Sequence, residues 1–157
     1  MLANIQRFFQ EMLSEGEGGA GREAPSLELA AAALLCEVMR ADYKVTRDEL
    51  DTLRRLLREH LDLDDVAIEE LMTLAQEEVD EAVDHYQFVS LIRDHYGYGR
   101  RVELVRMMWR LALADGEHHH LEEHRIRQLA DLLHVSHADF IRTKLSAQEG
   151  QQTAGEE

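Results

Sequence analysis

One proline, one cysteine and one tryptophan in 157 residues leave this chain few ways to be anything but helical and reduced. A lone cysteine, Cys36, rules out an intramolecular disulfide and any Cys-x-x-Cys redox or zinc motif. Its setting, Leu34-Leu35-Cys36, is that of a small buried side chain rather than a nucleophile. Scarce proline and the lack of closely spaced turn signals argue against a sandwich or barrel of short strands. No apolar run reaches the ~18–20 residues that a membrane span requires. Met1-Leu2-Ala3-Asn4-Ile5 is not a basic segment leading into an apolar one, so no signal peptide is expected and the chain reads as cytoplasmic. Basic residues are also short: 17 Lys and Arg face 32 Asp and Glu, a formal charge of −15. That sign repels phosphate backbones, and no nucleic-acid partner is expected. A phosphate-cradling glycine loop, Gly-x-Ser-x-Gly and His-Glu-x-x-His are all missing, which removes the common NTPase, esterase and zinc-hydrolase signatures.

What is present is apolar residues at helical spacing. In residues 1–13, Leu2, Ile5, Phe8, Phe9, Met12 and Leu13 share one face of an amphipathic helix. A Gly- and Glu-rich flexible linker follows at 14–25. Such a helix has three uses: docking on its own domain, binding a partner groove, or lying on a membrane surface. Residues 26–147 form the main domain, and 148–157 a polar tail. Within the domain the spacing predicts helices at about 26–41, 47–60, 65–84, 85–96, 101–114, 120–133 and 137–147, with Gly97-Tyr98-Gly99 as a break. The fold class is therefore all-α, a bundle of about seven helices plus the N-terminal amphipathic helix.

The bundle contains a repeat. Ala41-Asp42 with Glu49 recurs as Ala114-Asp115 with Glu122, 73 residues later in each case. The flanking helices repeat as well: Leu34, Leu35, Cys36 and Val38 fall on Met107, Met108, Trp109 and Leu111, and Leu53 and Leu56 fall on Ile126 and Leu129. Two copies at this period make a duplicated half-domain rather than a solenoid. We expect two helix–turn–helix halves about a pseudo-twofold axis, joined by the 65–84 and 85–96 helices.

Two readings of the repeated carboxylates stand side by side. In the structural one, Thr46-Arg47-Asp48-Glu49 is a capping box, and Asp42 and Asp115 shape the turns that end the preceding helices. In the other, the aspartate and glutamate share a divalent cation, Ca²⁺, Mg²⁺ or Mn²⁺. The second copy favours the latter, since His119 replaces Thr46 and histidine is a poor N-cap. His118-His119-His120 with Glu122, Glu123 and His124 is the densest group of ligand-type residues; His120 and His124 share a helix face, as an exposed pair or as ligands for Zn²⁺ or Ni²⁺. The candidate metal residues are thus Asp42, Glu49, Asp115, Glu122, His119, His120 and His124. No catalytic residue is expected, the only enzymatic alternative being a carboxylate-bridged metal hydrolase. Residues 62–84 hold ten acids and no Lys, Arg or His, either a solvated face or a dock for a basic protein partner. Arg93, Arg100, Arg101, Arg106 and Arg110 are candidates for an opposing basic patch.

The duplicated motif, Ala114-Asp115-Gly116 through Glu122 with its counterpart Ala41 through Glu49, together with Arg101 leading into the second core helix, resembles the TerB-like tellurite-resistance family. Its fold also occurs at the N-terminus of the membrane-anchored DjlA co-chaperones. The resemblance spans about residues 27–145. It implies a compact all-α domain without established enzymatic activity, acting in metal-linked or stress-response complexes, with the acidic positions at Asp42, Glu49, Asp115 and Glu122. A metal-independent protein–protein adaptor, with the carboxylates as caps only, is the alternative function. Tyr43 departs from the pattern, standing where glycine is expected after the first aspartate. A left-handed turn is costly for tyrosine, so the first copy is the more structural of the two.

Overall fold

The computed structural model describes residues 23–41, 44–61, 63–81, 86–114 and 120–155. The expected helix at 1–13 lies outside them. Seven helices make up the described residues: α1 Glu23–Met39, α2 Arg47–His60, α3 Asp65–Glu81, α4 Tyr86–His95, α5 Tyr98–Ala112, α6 His120–Leu132 and α7 His137–Gly155. The last continues well past residue 147, where the apolar pattern stops. Gly97 alone makes the break before α5, with Tyr98 and Gly99 taken into its first turn.

α1 is apolar on every side, and every residue from Leu29 to Cys36 is buried. A helix of that kind has to be surrounded. α2, α3, α4, α5 and α6 all pack against it, and the run Ala30–Ala33 keeps its girth small enough for them to approach. α5 is the counterpart, burying Leu104, Val105, Met107, Met108, Trp109, Leu111 and Ala112. α1 and α5 lie against each other, and α2 and α6 each pack on both of them. Large and small side chains trade places between the halves, with Cys36 opposite Trp109 in the repeat and Met39 opposite Ala112, all buried.

The repeat is larger than the two helices per half expected from sequence. α3 packs along α1 as α7 packs along α5, so each half has three helices and α4, seated on α1, is the only connecting helix. The third helices match at a spacing of 72 instead of 73. Asp64 Oδ1 accepts from the Ala67 N–H (2.8 Å), and Ser136 Oγ accepts from the Asp139 N–H (3.2 Å), so residues 72 apart cap the two helices. Buried Ile68, Leu71 and Ala75 correspond on that spacing to buried Phe140, Thr143 and Ala147. At 73, Ile68 would fall on exposed Ile141. The second copy thus makes its last turn with one residue fewer, and His134 within it has the left-handed φ of 59°.

Trp109 sits where the halves close. It is fully buried, with Phe140 of α7 edge-on at 5.4 Å between centroids and the Lys144 ammonium 5.4 Å from its ring. Among the described residues no helix is long and apolar enough to cross a membrane. Phe140→Ala empties the space beside Trp109 and is expected to destabilise the fold by about 3–5 kcal/mol. Urea unfolding followed by circular dichroism measures this; a change below about 1 kcal/mol would mean that α7 does not hold the second half closed.

Candidate functional site

Each half starts its second helix with a buried glutamate. Glu49 and Glu122 are both 1% exposed, among very few buried polar or charged residues. Around Glu49 the local chain explains the burial. Thr46, with φ −96° and ψ 161°, is the N-cap of α2, and its Oγ accepts from the Glu49 N–H at 3.1 Å. The Thr46 N–H (3.0 Å) and hydroxyl (3.1 Å) donate to Glu49 Oε1 in return. This is the expected capping box, and the positive end of the helix dipole adds to it. Glu122 occupies the same position in α6, where the residue at the capping position is His119.

Of the other residues singled out for a metal, Asp42, Asp115 and His119 lie outside the described residues. His120 and His124 are both exposed, on the solvent side of α6. Glu122 points inward, and at about 100° per residue it leaves the helix roughly opposite His120. The histidine pair and Glu122 therefore cannot close around one ion. Glu123 is engaged by Lys144 (2.8 Å). Among the described residues, no group of three or more His, Cys, Asp or Glu side chains is placed to hold a metal.

The acidic stretch and the arginines resolve into separate contacts. Arginines of α2 take up part of the acidic face of α3: Arg54 pairs with Glu69 and Asp51, and Arg58 with Asp65 at 2.8 Å. Exposed pairs of this kind contribute little each. Arg93 and Arg100 lie over Tyr86 and Tyr96, with the latter pair 4.0 Å from guanidinium to ring centroid. Arg101 donates to the Leu133 carbonyl at the end of α6 (2.6 Å), so the residue that marks the family resemblance ties two helices of one half together.

Two polar networks escaped the sequence reading because their members are far apart in the chain. In the first, the Tyr98 hydroxyl donates to Asp139 Oδ2 at 2.5 Å and accepts from the Ser136 N–H at 3.1 Å, joining the starts of α5 and α7. The hydrogen bond from Tyr98 holds the Asp139 carboxyl below its ordinary range, with help from Ser136 and Arg142. Ser136-x-x-Asp139, a cap signature, was the one visible clue. In the second, Glu103 receives Arg106 at 2.6 Å and His60 Nε2 at 3.1 Å, while His60 Nδ1 faces the Leu56 carbonyl at 2.9 Å. Burial pushes the Glu103 carboxyl up, but the bonds from Arg106 and His60 outweigh this and hold it below the usual value. Glu28 moves the other way, raised by burial alone.

The described residues thus form an all-α bundle of duplicated type with a buried glutamate at each of two equivalent helix starts. The family model described as "Tellurite resistance protein TerB" matches residues 28–145, and the chain belongs to that family. Comparisons with curated proteins and with solved structures return no match.

Thr46→Ala removes the cap of α2 and is expected to cost about 1 kcal/mol, read by urea unfolding; an unchanged midpoint would show that the box does not anchor Glu49. Because Glu103 is depressed in the fold, its contribution is present above its unfolded value near 4.5 and is lost as pH falls through the folded value. Glu103→Gln is therefore expected to lower the melting temperature at pH 7, and by progressively less as pH falls below the unfolded value near 4.5. A loss that stays the same across this range would contradict that linkage.

Proposed function

We propose that this chain is a non-catalytic accessory module of the tellurite-resistance type that binds a divalent cation at the second helix start and engages a protein partner in stress-response or membrane-associated assemblies. One observation carries the reading. Glu122 is withdrawn from solvent at a helix start whose capping position is His119 rather than threonine. A divalent cation is one group that suits a carboxylate withdrawn from water beside a second carboxylate in the chain. The donor set suits a hard ion: Asp115 and Glu122 offer carboxylate oxygens, which fit Ca²⁺, Mg²⁺ or Mn²⁺. Asp42 and Glu49 are the less suited pair, since the Thr46 box already uses a Glu49 oxygen. His120 and His124 would take Zn²⁺ or Ni²⁺ independently, on the outer face of α6. The capped state of Glu49 favours a second reading, a metal-independent adaptor whose carboxylates serve only to start helices.

Calorimetric titration with Ca²⁺, Mn²⁺, Zn²⁺ and Ni²⁺ separates the two. The first reading expects Ca²⁺ or Mn²⁺ binding that weakens at least tenfold in Asp115→Ala and Glu122→Gln. If no ion binds, and the same variants merely melt earlier in metal-free buffer, the adaptor reading stands and the cation is excluded.

A further inference from the structure

The cleft between α2 and α7, floored by α5, has a volume of about 550 Å³ and gathers three arginines in a chain of charge −15: Arg55 from α2, and Arg106 and Arg110 from α5. Among the described residues Glu59 is the single acid in its lining. Arg110 reaches Glu59 only at 3.4 Å, through side chains 31% and 45% exposed, a contact of the weak surface kind. Arg55 is exposed and has no ion-pair partner among the described residues. Arg106 spends one amino group on Glu103, while its Nε is buried without a hydrogen-bond acceptor. A buried donor left unmet is costly, and an anion entering the cleft would supply what it lacks.

The duplication provides an internal control. The positions 73 residues away from Arg106, Arg110 and Arg55 hold Ala33, Glu37 and Gln128. There Glu37 is met by Arg125 at 3.2 Å, so the corresponding charge is neutralised within the fold. The same scaffold is thus built without the arginine cluster on its other side, and helix packing does not require it.

We infer that the α2–α5–α7 cleft is a binding site for a small organic phosphate. The guanidinium fork matches phosphate oxygens in pairs, which a lone ammonium does not. Leu113 and Ala147 give an apolar wall, and the Thr52 and Ser146 residues bring hydroxyls to the lining. The volume falls within the range of small-molecule sites, about 300–1,000 Å³, and exceeds what a bare inorganic anion fills. The inference rests on the arginines of α2 and α5 and not on the proposed cation.

Backbone amide chemical shifts of the ¹⁵N-labelled full chain, titrated with phenyl phosphate, test the inference. Saturable shifts are expected at Thr52, Leu113, Ser146 and Ala147, with inorganic phosphate binding more weakly. Arg55→Gln and Arg110→Gln should each weaken binding about tenfold, the scale of one charge-assisted hydrogen bond, at an unchanged melting temperature. Arg127→Gln, on the exposed face of α6, should leave it unaltered. Non-saturating shifts spread over the surface, or equal affinity in the arginine variants, would overturn the site. Inorganic phosphate binding as tightly as the ester would remove the organic part. A glutamate-rich hexapeptide saturating the same residues more tightly than phenyl phosphate would assign the cleft to an acidic protein segment instead.

Discussion

A helix that buries eight successive residues has to be surrounded, and the architecture follows from covering α1 while α5 buries a second broad apolar face beside it. α1 and α5 cannot shield each other completely, since each leaves most of its circumference uncovered at their mutual contact. The remaining five helices are arranged to cover it: α3 and α4 on α1, α7 on α5, and α2 and α6 each across both. This bridging makes the core continuous. Leu53, Leu56 and Leu57 of α2 and Ile126, Leu129 and Ala130 of α6 belong to one apolar cluster with Leu34, Leu35, Met108 and Trp109. Neither half has a core of its own.

Much of this was legible in the chain. The period of 73, the seven helical patterns and the Thr46–Glu49 box are local signals, and local signals survive in a linear text. That the third helix of each half belongs to the repeat was missed for a definite reason. One residue is lost in the turn at Leu133–Ser136, and the register slips so that Ile68 is compared with exposed Ile141 instead of buried Phe140. His134 absorbs the shortening with its left-handed backbone, which no propensity for histidine announces. The site was legible as composition but not as geometry. Histidines and glutamates crowd together between 118 and 124, yet α6 turns Glu122 to the core and His120 and His124 to water, so proximity in sequence is undone by the helical turn.

Charge in this molecule is partitioned rather than diffuse. Acids dominate the count, but arginines are spent at particular joints: Arg101 on the carbonyl that ends α6, Arg54 and Arg58 on α3, Arg125 on Glu37, and Arg106 with His60 on Glu103. The last group links the end of α2 to α5 through a carboxylate held ionised by its two donors. The arginines are unevenly distributed between the halves, and the cleft beside α7 gathers three of them.

Contact of α6 with α1 is reciprocated by contact of α2 with α5, so the interface between the halves is isologous in kind, the sort found between identical subunits of a symmetric dimer. Here α4 makes that dimer a single polypeptide. In a true dimer every substitution appears twice and any specialised residue burdens both copies. Joined by α4, the halves are released from that constraint, and each position can vary alone. One helix start can keep a threonine cap while its twin collects histidines, and positions that hold Arg106 and Arg110 in one half hold Ala33 and Glu37 in the other. Covalent closure therefore gives this fold two sets of equivalent positions with independent chemistry.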